Sequence, residues 1–293
     1  MNFPYGEITP DPPPNFAPPE VWPEFGAVAQ PTSVCAREEV GQKPRGVRWS
    51  LWPLTFEEYW GDQEPDVKAA AKGSLVRNRL VGWRRVSRSD VPAGWRTLSR
   101  RPGRVDGFYI LGNTADYRAD WSGNARRNYK KWAAACDTGD YAVEPIDFKE
   151  YKRAYARSTA RKKTGLEYID VLERKLALPS CKDHYSLWGV LNKKTGAIIA
   201  GYVRCHSPTY RSSTREFPFI LSEGKKIYAA VGLMDHWVRH SLGAGVELLV
   251  TASFWHPGEP KSWKGFSAFK AQFGYTYVAY PPTLWKFVRG KIF

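Results

Sequence analysis

The stretch Tyr185-Ser-Leu-Trp-Gly-Val-Leu-Asn-Lys-Lys-Thr-Gly-Ala-Ile-Ile-Ala-Gly-Tyr-Val-Arg204 decides the reading of the fold. Two apolar-rich runs, 185–191 and 197–204, flank Lys193-Lys-Thr-Gly196, a hairpin-type turn. A third strand-like run, 216–221, follows. Upstream, residues 141–147 read as a strand, and Asp147 can cap a helix carrying Phe148, Tyr151 and Tyr155 at three-to-four spacing. A second helix is predicted over about 166–178, with Ile169, Leu172 and Leu176 on one face. Downstream, a helix over about 227–242 places Ile227, Val231, Met234, Val238 and Leu242 on one stripe and ends at Gly243 and Gly245. Residues 246–252 are apolar apart from Glu247 and read as a central strand. A helix over about 262–272, a strand over 275–280 and an edge strand over 284–288 complete the series. The order β α α β β β α β α β (β) predicts an α/β (α+β) chain, a mixed sheet flanked by helices on both faces.

The remainder divides by composition. Residues 1–44 form a Pro-rich arm, expected to be extended, with nine prolines before residue 32. The arm holds two cations against six acids, a balance of −4. It can lie in solvent or fold back on a basic body, and Trp22 and Phe25 offer it apolar anchors. Residues 45–135 are a short Arg/Trp-rich first lobe, and residues 136–293 the second lobe with the element order above. Segment 77–104 carries nine arginines and one acid, with Trp83 and Trp95 interleaved. Ser122 can cap a helix over about 123–135 whose exposed side is basic.

The 293 residues carry 44 Lys and Arg against 29 Asp and Glu, a net charge of +15. Setting the arm's −4 aside leaves +19 on residues 45–293, which favours polyanionic partners: nucleic acid, anionic lipid or phosphate-bearing substrates. The four cysteines are scattered without a CxxC spacing, which argues against a disulfide framework and a Cys-rich zinc site. No apolar run is long enough to span a membrane, and no signal peptide is evident, so a cytoplasmic protein is expected. Nucleophile-elbow, Walker and GxGxxG motifs are absent, which leaves hydrolase, NTPase and dinucleotide readings unsupported. His236 and His240 stand at i, i+4 but lack a readable third ligand, and no metal is expected.

Gly265-Phe-Ser-Ala-Phe-Lys-Ala-Gln-Phe-Gly274, with the strand after it, resembles the Gly-x3-FKxxFG element of FemABX-type aminoacyltransferases. Ser122-Gly-Asn-Ala-Arg-Arg-Asn-Tyr-Lys-Lys131 is similar to the helix that precedes the second GNAT-like lobe of that family. Phe148-Lys-Glu-Tyr151 with Ala156-Arg-Ser-Thr-Ala-Arg161 resembles the following helix, and Thr195-Gly-Ala-Ile-Ile-Ala-Gly201 the strand pair after it. The resemblance covers about 115–290 and implies two packed GNAT-like lobes, the first degenerate here. It also implies transfer of an aminoacyl group from aminoacyl-tRNA to an amine of a cell-wall precursor or peptide, with no permanently bound cofactor. Carried over, Phe269 would stack on the terminal adenine of tRNA and Lys270 would meet the oxyanion. The first lobe is short and Arg-rich, the Pro-rich arm is added, and no long helical-hairpin insertion is present.

An acyl-CoA transferase of this fold is the alternative. Its pyrophosphate loop would fall at 221–227, where only Gly224 is present and Lys225 and Lys226 would serve as phosphate contacts. Tyr202, Arg204 and His206 share one face of a strand by alternation and can line an acceptor cleft, with His206 as a second catalytic candidate. Around Arg204 and Val250 two neighbouring strands are expected to splay and grip an activated carbonyl. Arg84, Arg85, Arg126, Arg127, Lys130 and Lys131 are the candidate nucleic-acid or phosphate contacts. A non-catalytic RNA-binding scaffold and peripheral contact with an anionic membrane are the other readings of the same charge.

Overall fold

The structure, a computed structural model, describes residues 3–10, 12–25, 37–42, 45–51, 54–67, 78–86, 90–97, 103–112, 116–160, 167–257 and 259–289. Arg77, Arg88, Arg100, Arg101 and Arg161 lie outside the described residues. Two sheets organise the chain. The first takes β1 (Arg37–Gln42), β2 (Arg45–Leu51), β3 (Leu54–Trp60), β4 (Asn78–Arg84) and β5 (Arg96–Thr97). The second begins with β6 (Val105–Ile110) and runs through β7 (Tyr141–Pro145), β8 (Tyr185–Asn192), β9 (Ala197–Ser207), β10 (Ser212–Ile220), β11 (Leu248–Thr251) and β12 (Thr276–Ala279). Its spatial order is β12-β6-β11-β10-β9-β8-β7, and the 185–220 meander stands within it as expected. Strand β6 and the helix that follows come from the Arg/Trp-rich segment, yet they are built into the second sheet.

β13 (Leu284–Val288) corrects one expectation. It is not an edge strand: it returns to the first sheet and lies between β4 and β5. Leu284 is fully buried there against Val81, Trp83 and Trp95. A short apolar run at the end of a chain has no local feature that distinguishes an edge from an interior slot.

Two cores cover the faces of the second sheet. On one face lie α1 (Gly123–Asp137) and α5 (Ala229–Gly243). On the other lie α2 (Phe148–Ala156) and α3 (Glu167–Ala177). Local chemistry sets the helix starts: the Ser122 side chain accepts from the Ala125 N–H at 3.1 Å, and Asp147 from the Glu150 N–H at 2.8 Å. Gly232 lets α5 approach α1, because a Cβ there would stand 2.1 Å from the Trp132 ring. The helix expected over 227–242 is α5, which starts two residues later than expected; a separate short helix, α4 (Ser222–Lys226), precedes it, and Tyr228 in the left-handed region at φ 60° divides the two. α6 (Lys264–Lys270) precedes the last turn into β12.

The described part of the arm folds back on the body. Trp22 is wholly buried, Phe16 nearly so, and both join the core under α2 and α3. Glu24 accepts from Ser207 Oγ and Thr209 Oγ1, both at 2.7 Å, and Glu20 pairs with Arg104 at 2.5 Å. Nearer the N-terminus, Phe3 and Tyr5 pack on Phe254, and Ile8 bridges to Tyr277 of β12. Charge complementarity and two large rings decide between the solvated and docked alternatives.

Candidate active site

Among the described strands of the second sheet, β10 and β11 alone pair in parallel. It is short: Ser212, Ser213 and Thr214 face Leu248, Leu249 and Val250. Beyond Thr214 and Val250 the strands part. β10 continues along β9 through a bulge at Phe217, held at φ 49°. β11 ends at Thr251, and Ser253 turns away at φ 58°. Asp106 Oδ1 accepts from the Ser253 N–H at 2.8 Å, and Val105 O from the Phe254 N–H at 2.7 Å. The expected opening therefore lies between β10 and β11, beside Arg215. Arg204 stands one strand behind it, on β9.

Lys270 reaches into this point from the end of α6. Its Nζ donates to Ala252 O at 2.6 Å and Ser253 O at 2.9 Å, and the residue is 1% exposed. The Phe254 and Phe266 rings flank the ammonium at 4.2 and 4.4 Å. Burial pulls its pKa down to about 7, opposed by Asp106 and assisted by the positive charges of Arg215 and Arg104. Asp106 itself pairs with Arg104 at 2.7 Å. Gly274, in the left-handed region at φ 73°, closes the FKxxFG turn against Asp120, where a Cβ would meet backbone at 3.0 Å.

Phe269 is half-buried and packs edge-on against Phe273, with centroids 5.1 Å apart. The exposed rings of this helical segment are instead Trp263 and Phe266. Neither was singled out from sequence, because the apolar spacing of Phe266, Phe269 and Phe273 does not say which ring faces out.

The trio on β9 is brought together on one face, as expected from alternation. Tyr202 and Arg204 are buried and His206 is half-buried. Tyr202 Oη lies 2.9 Å from His236 Nδ1. His236 stacks on His240, and Trp188 covers both rings at 4.4 and 4.8 Å. Burial brings His236 down to about 4 and lowers His206 and His240 as well, with Arg204 adding to the shift in each. The strongest influences on His206 are burial, Arg204 and His184, whereas Lys270 answers to Asp106, Arg215 and Arg104. The two catalytic candidates thus belong to different electrostatic groups.

Lys225 and Lys226 are exposed in the last turn of α4 and not at the start of a longer helix. Arg84 is engaged by Glu58 at 2.7 Å. Arg85 is not a surface contact: it is buried, donates to Asp90 O at 3.1 Å and lines an interlobe crevice with Arg84, Arg104, Trp60 and Tyr280. Arg126, Arg127, Lys130 and Lys131 are exposed along α1 as expected. Sequence reasoning missed Arg215 and Asp106, whose roles depend on strand register and on the meeting of distant segments.

No protein-family model matches the sequence, and no curated protein matches it. Solved structures do. The structure of FemX superposes with a TM-score of 0.63 over 87% of this chain and 88% of FemX, at 10% identity. The C-terminal domain of a protein described as a lysylphosphatidylglycerol synthetase, from Agrobacterium fabrum, gives 0.55 over 86% and 84% at 12% identity. L-PGS from Bacillus licheniformis gives 0.55 over 85% and 83%, also at 12%. With its two sheets, its flanking helices and a parallel pair that parts beside Lys270, this chain has the mixed α/β fold of FemX.

Proposed function

We propose that this protein is a GNAT-fold acyltransferase of the Fem-like kind, moving an aminoacyl group from aminoacyl-tRNA to the amine of a cell-wall precursor or peptide. The observation that carries the reading is Lys270: a buried ammonium held by two carbonyls where β10 and β11 part. In the reaction the acceptor amine attacks the ester carbonyl. A C–N bond forms, negative charge gathers on the carbonyl oxygen, and the C–O bond to the ribose breaks. The proton lost by the amine goes to the departing hydroxyl. Two of the three Lys270 donors are engaged, leaving one for the oxyanion. The Phe254 and Phe266 rings keep bulk water from the ammonium, which strengthens that contact. The basic face of α1 offers a phosphate-tracking surface for the donor.

The test is a transfer assay with charged tRNA or acetyl-CoA as donor and an amine-bearing muropeptide as acceptor. Product from charged tRNA, lost in Lys270→Ala, supports the proposal. Transfer from acetyl-CoA alone, or equal transfer by the variant, overturns it.

A further inference from the structure

Arg204 on β9 and Arg215 on β10 are direct partners across the antiparallel ladder. Directly opposed residues project from the same face, so both arginine side chains leave the sheet on the same side. Arg204 is 6% exposed. Its Nε donates to Ser213 Oγ at 3.3 Å, and its Nη2 is buried with no hydrogen-bond partner among the described residues. Ser213 is itself held by Trp237 Nε1 at 2.9 Å, so it cannot turn to meet Arg204 more fully. The Arg215 guanidinium lies about 6 Å from the Tyr202 and Trp237 rings.

Among the described residues, neither arginine forms an ion pair with a carboxylate. The other titratable groups around them supply no negative charge. His206, His236 and His240 are pulled toward neutrality, and Tyr202 and Tyr275 are held as neutral phenols. Lys270 adds a third positive influence beside Arg215.

Buried like charges in register destabilise a sheet, and an uncompensated buried cation is costlier still. A fold that retains one at Arg204, with the half-buried Arg215 on the same face, has donors waiting for an anion. We propose that the Arg204–Arg215 pair is an anion-binding subsite that takes a carboxylate or phosphate group of a substrate. Guanidinium forks match the planar and tetrahedral oxyanions of these two groups. Arg215 is partly exposed while Arg204 lies deep, so the anion enters past Arg215 and seats on the free Arg204 Nη2. The identification of the ligand as a substrate group rests on the transferase reading; the anion site itself does not.

The experiment measures thermal unfolding with inorganic phosphate, acetate or chloride at constant ionic strength, without donor or acceptor. Saturable stabilisation by phosphate over chloride marks a phosphate-bearing ligand, and by acetate a carboxylate. Either response should disappear in Arg204→Gln and in Arg215→Gln, the second at a partly exposed position that tolerates the change. Arg204→Met, relieved of its buried charge, should unfold at a higher temperature than the parent in chloride. No response in the parent, or a response retained in both Gln variants, overturns the site. An intact anion response with no aminoacyl transfer would instead count against the transferase.

Discussion

Lys270 Nζ lies 2.6 Å from the carbonyl oxygen of Ala252, the first residue beyond β11. The last residue of a seven-residue helix thereby closes the end of a strand that has run out of partners. It does so with a charge whose burial is only partly compensated, by an Asp106 already paired to Arg104. Such an arrangement costs stability, as groups poised for chemistry commonly do.

Removing this ammonium should cost activity more than fold. Lys270→Ala is expected to lower kcat by about 10²–10³, the usual effect of deleting one oxyanion donor. Circular dichroism should show the native helix and sheet content. A variant with parental kcat would exclude Lys270 from the reaction.

The pH dependence of stability follows from the same residue. The folded pKa of about 7 lies below the ordinary 10.5, so between these values the unfolded chain binds more protons. Stability therefore rises with pH across that window and the penalty is fully present below it. Lys270→Met should remove this rise, as read from urea midpoints at pH 7 and pH 9.

Activity should move the other way. If the ammonium must be charged to meet the oxyanion, kcat/KM falls on an alkaline limb near pH 7. Lys270→Arg, which holds its proton to higher pH, should displace that limb upward even where it lowers the maximum. A limb that stays in place in the variant belongs to another group.

The arm is expected to behave as part of the fold. Trp22 is fully buried and its Nε1 donates to Ala17 O at 3.1 Å. Trp22→Ala should destabilise by about 3–5 kcal/mol, the range for emptying a core tryptophan site. Chemical denaturation measures it, and a loss below about 1 kcal/mol, as at ordinary surface positions, would show that the arm lies on the surface without joining the core.

Asp235 offers a check on the core under α1 and α5. It is wholly buried and accepts from Tyr117 Oη and Arg118 Nε at 2.6 Å and from Arg239 Nε at 2.8 Å. Arg118 and Arg239 are 31% and 58% exposed, so both can rehydrate when the carboxylate is lost. Tyr117 is buried and cannot. Asp235→Ala should therefore cost about 1–3 kcal/mol, the penalty of one stranded buried donor. Asp235→Asn, which can still accept from Tyr117, should cost less by the same denaturation measurement.

Much of the second sheet was legible because its signals are local. The turn at Lys193–Gly196, the Ser122 and Asp147 caps and the apolar stripe of α5 each occupy a few neighbouring residues. The placement of Tyr202, Arg204 and His206 on one face needed only strand alternation. Lys270 stood out through the element around it. Its burial did not, since a lysine at a helix end is ordinarily solvated. Arg215 could not be singled out: its importance arises from standing opposite Arg204, eleven residues away across a hairpin with a bulge.

From residue 141 onward the order of helices and strands, with the caps and turns named above, and the basic balance of the body were determined by the sequence alone. These depend on backbone propensity, on periodicity and on summed charge, which act over short range or simply add. Only the tertiary structure decided that β13 crosses into the first sheet, that the described part of the arm docks, and that Arg204 and Arg215 share a face with no carboxylate paired to either among the described residues. Those outcomes depend on register and on which distant surfaces exclude water from each other, and no single segment carries that information.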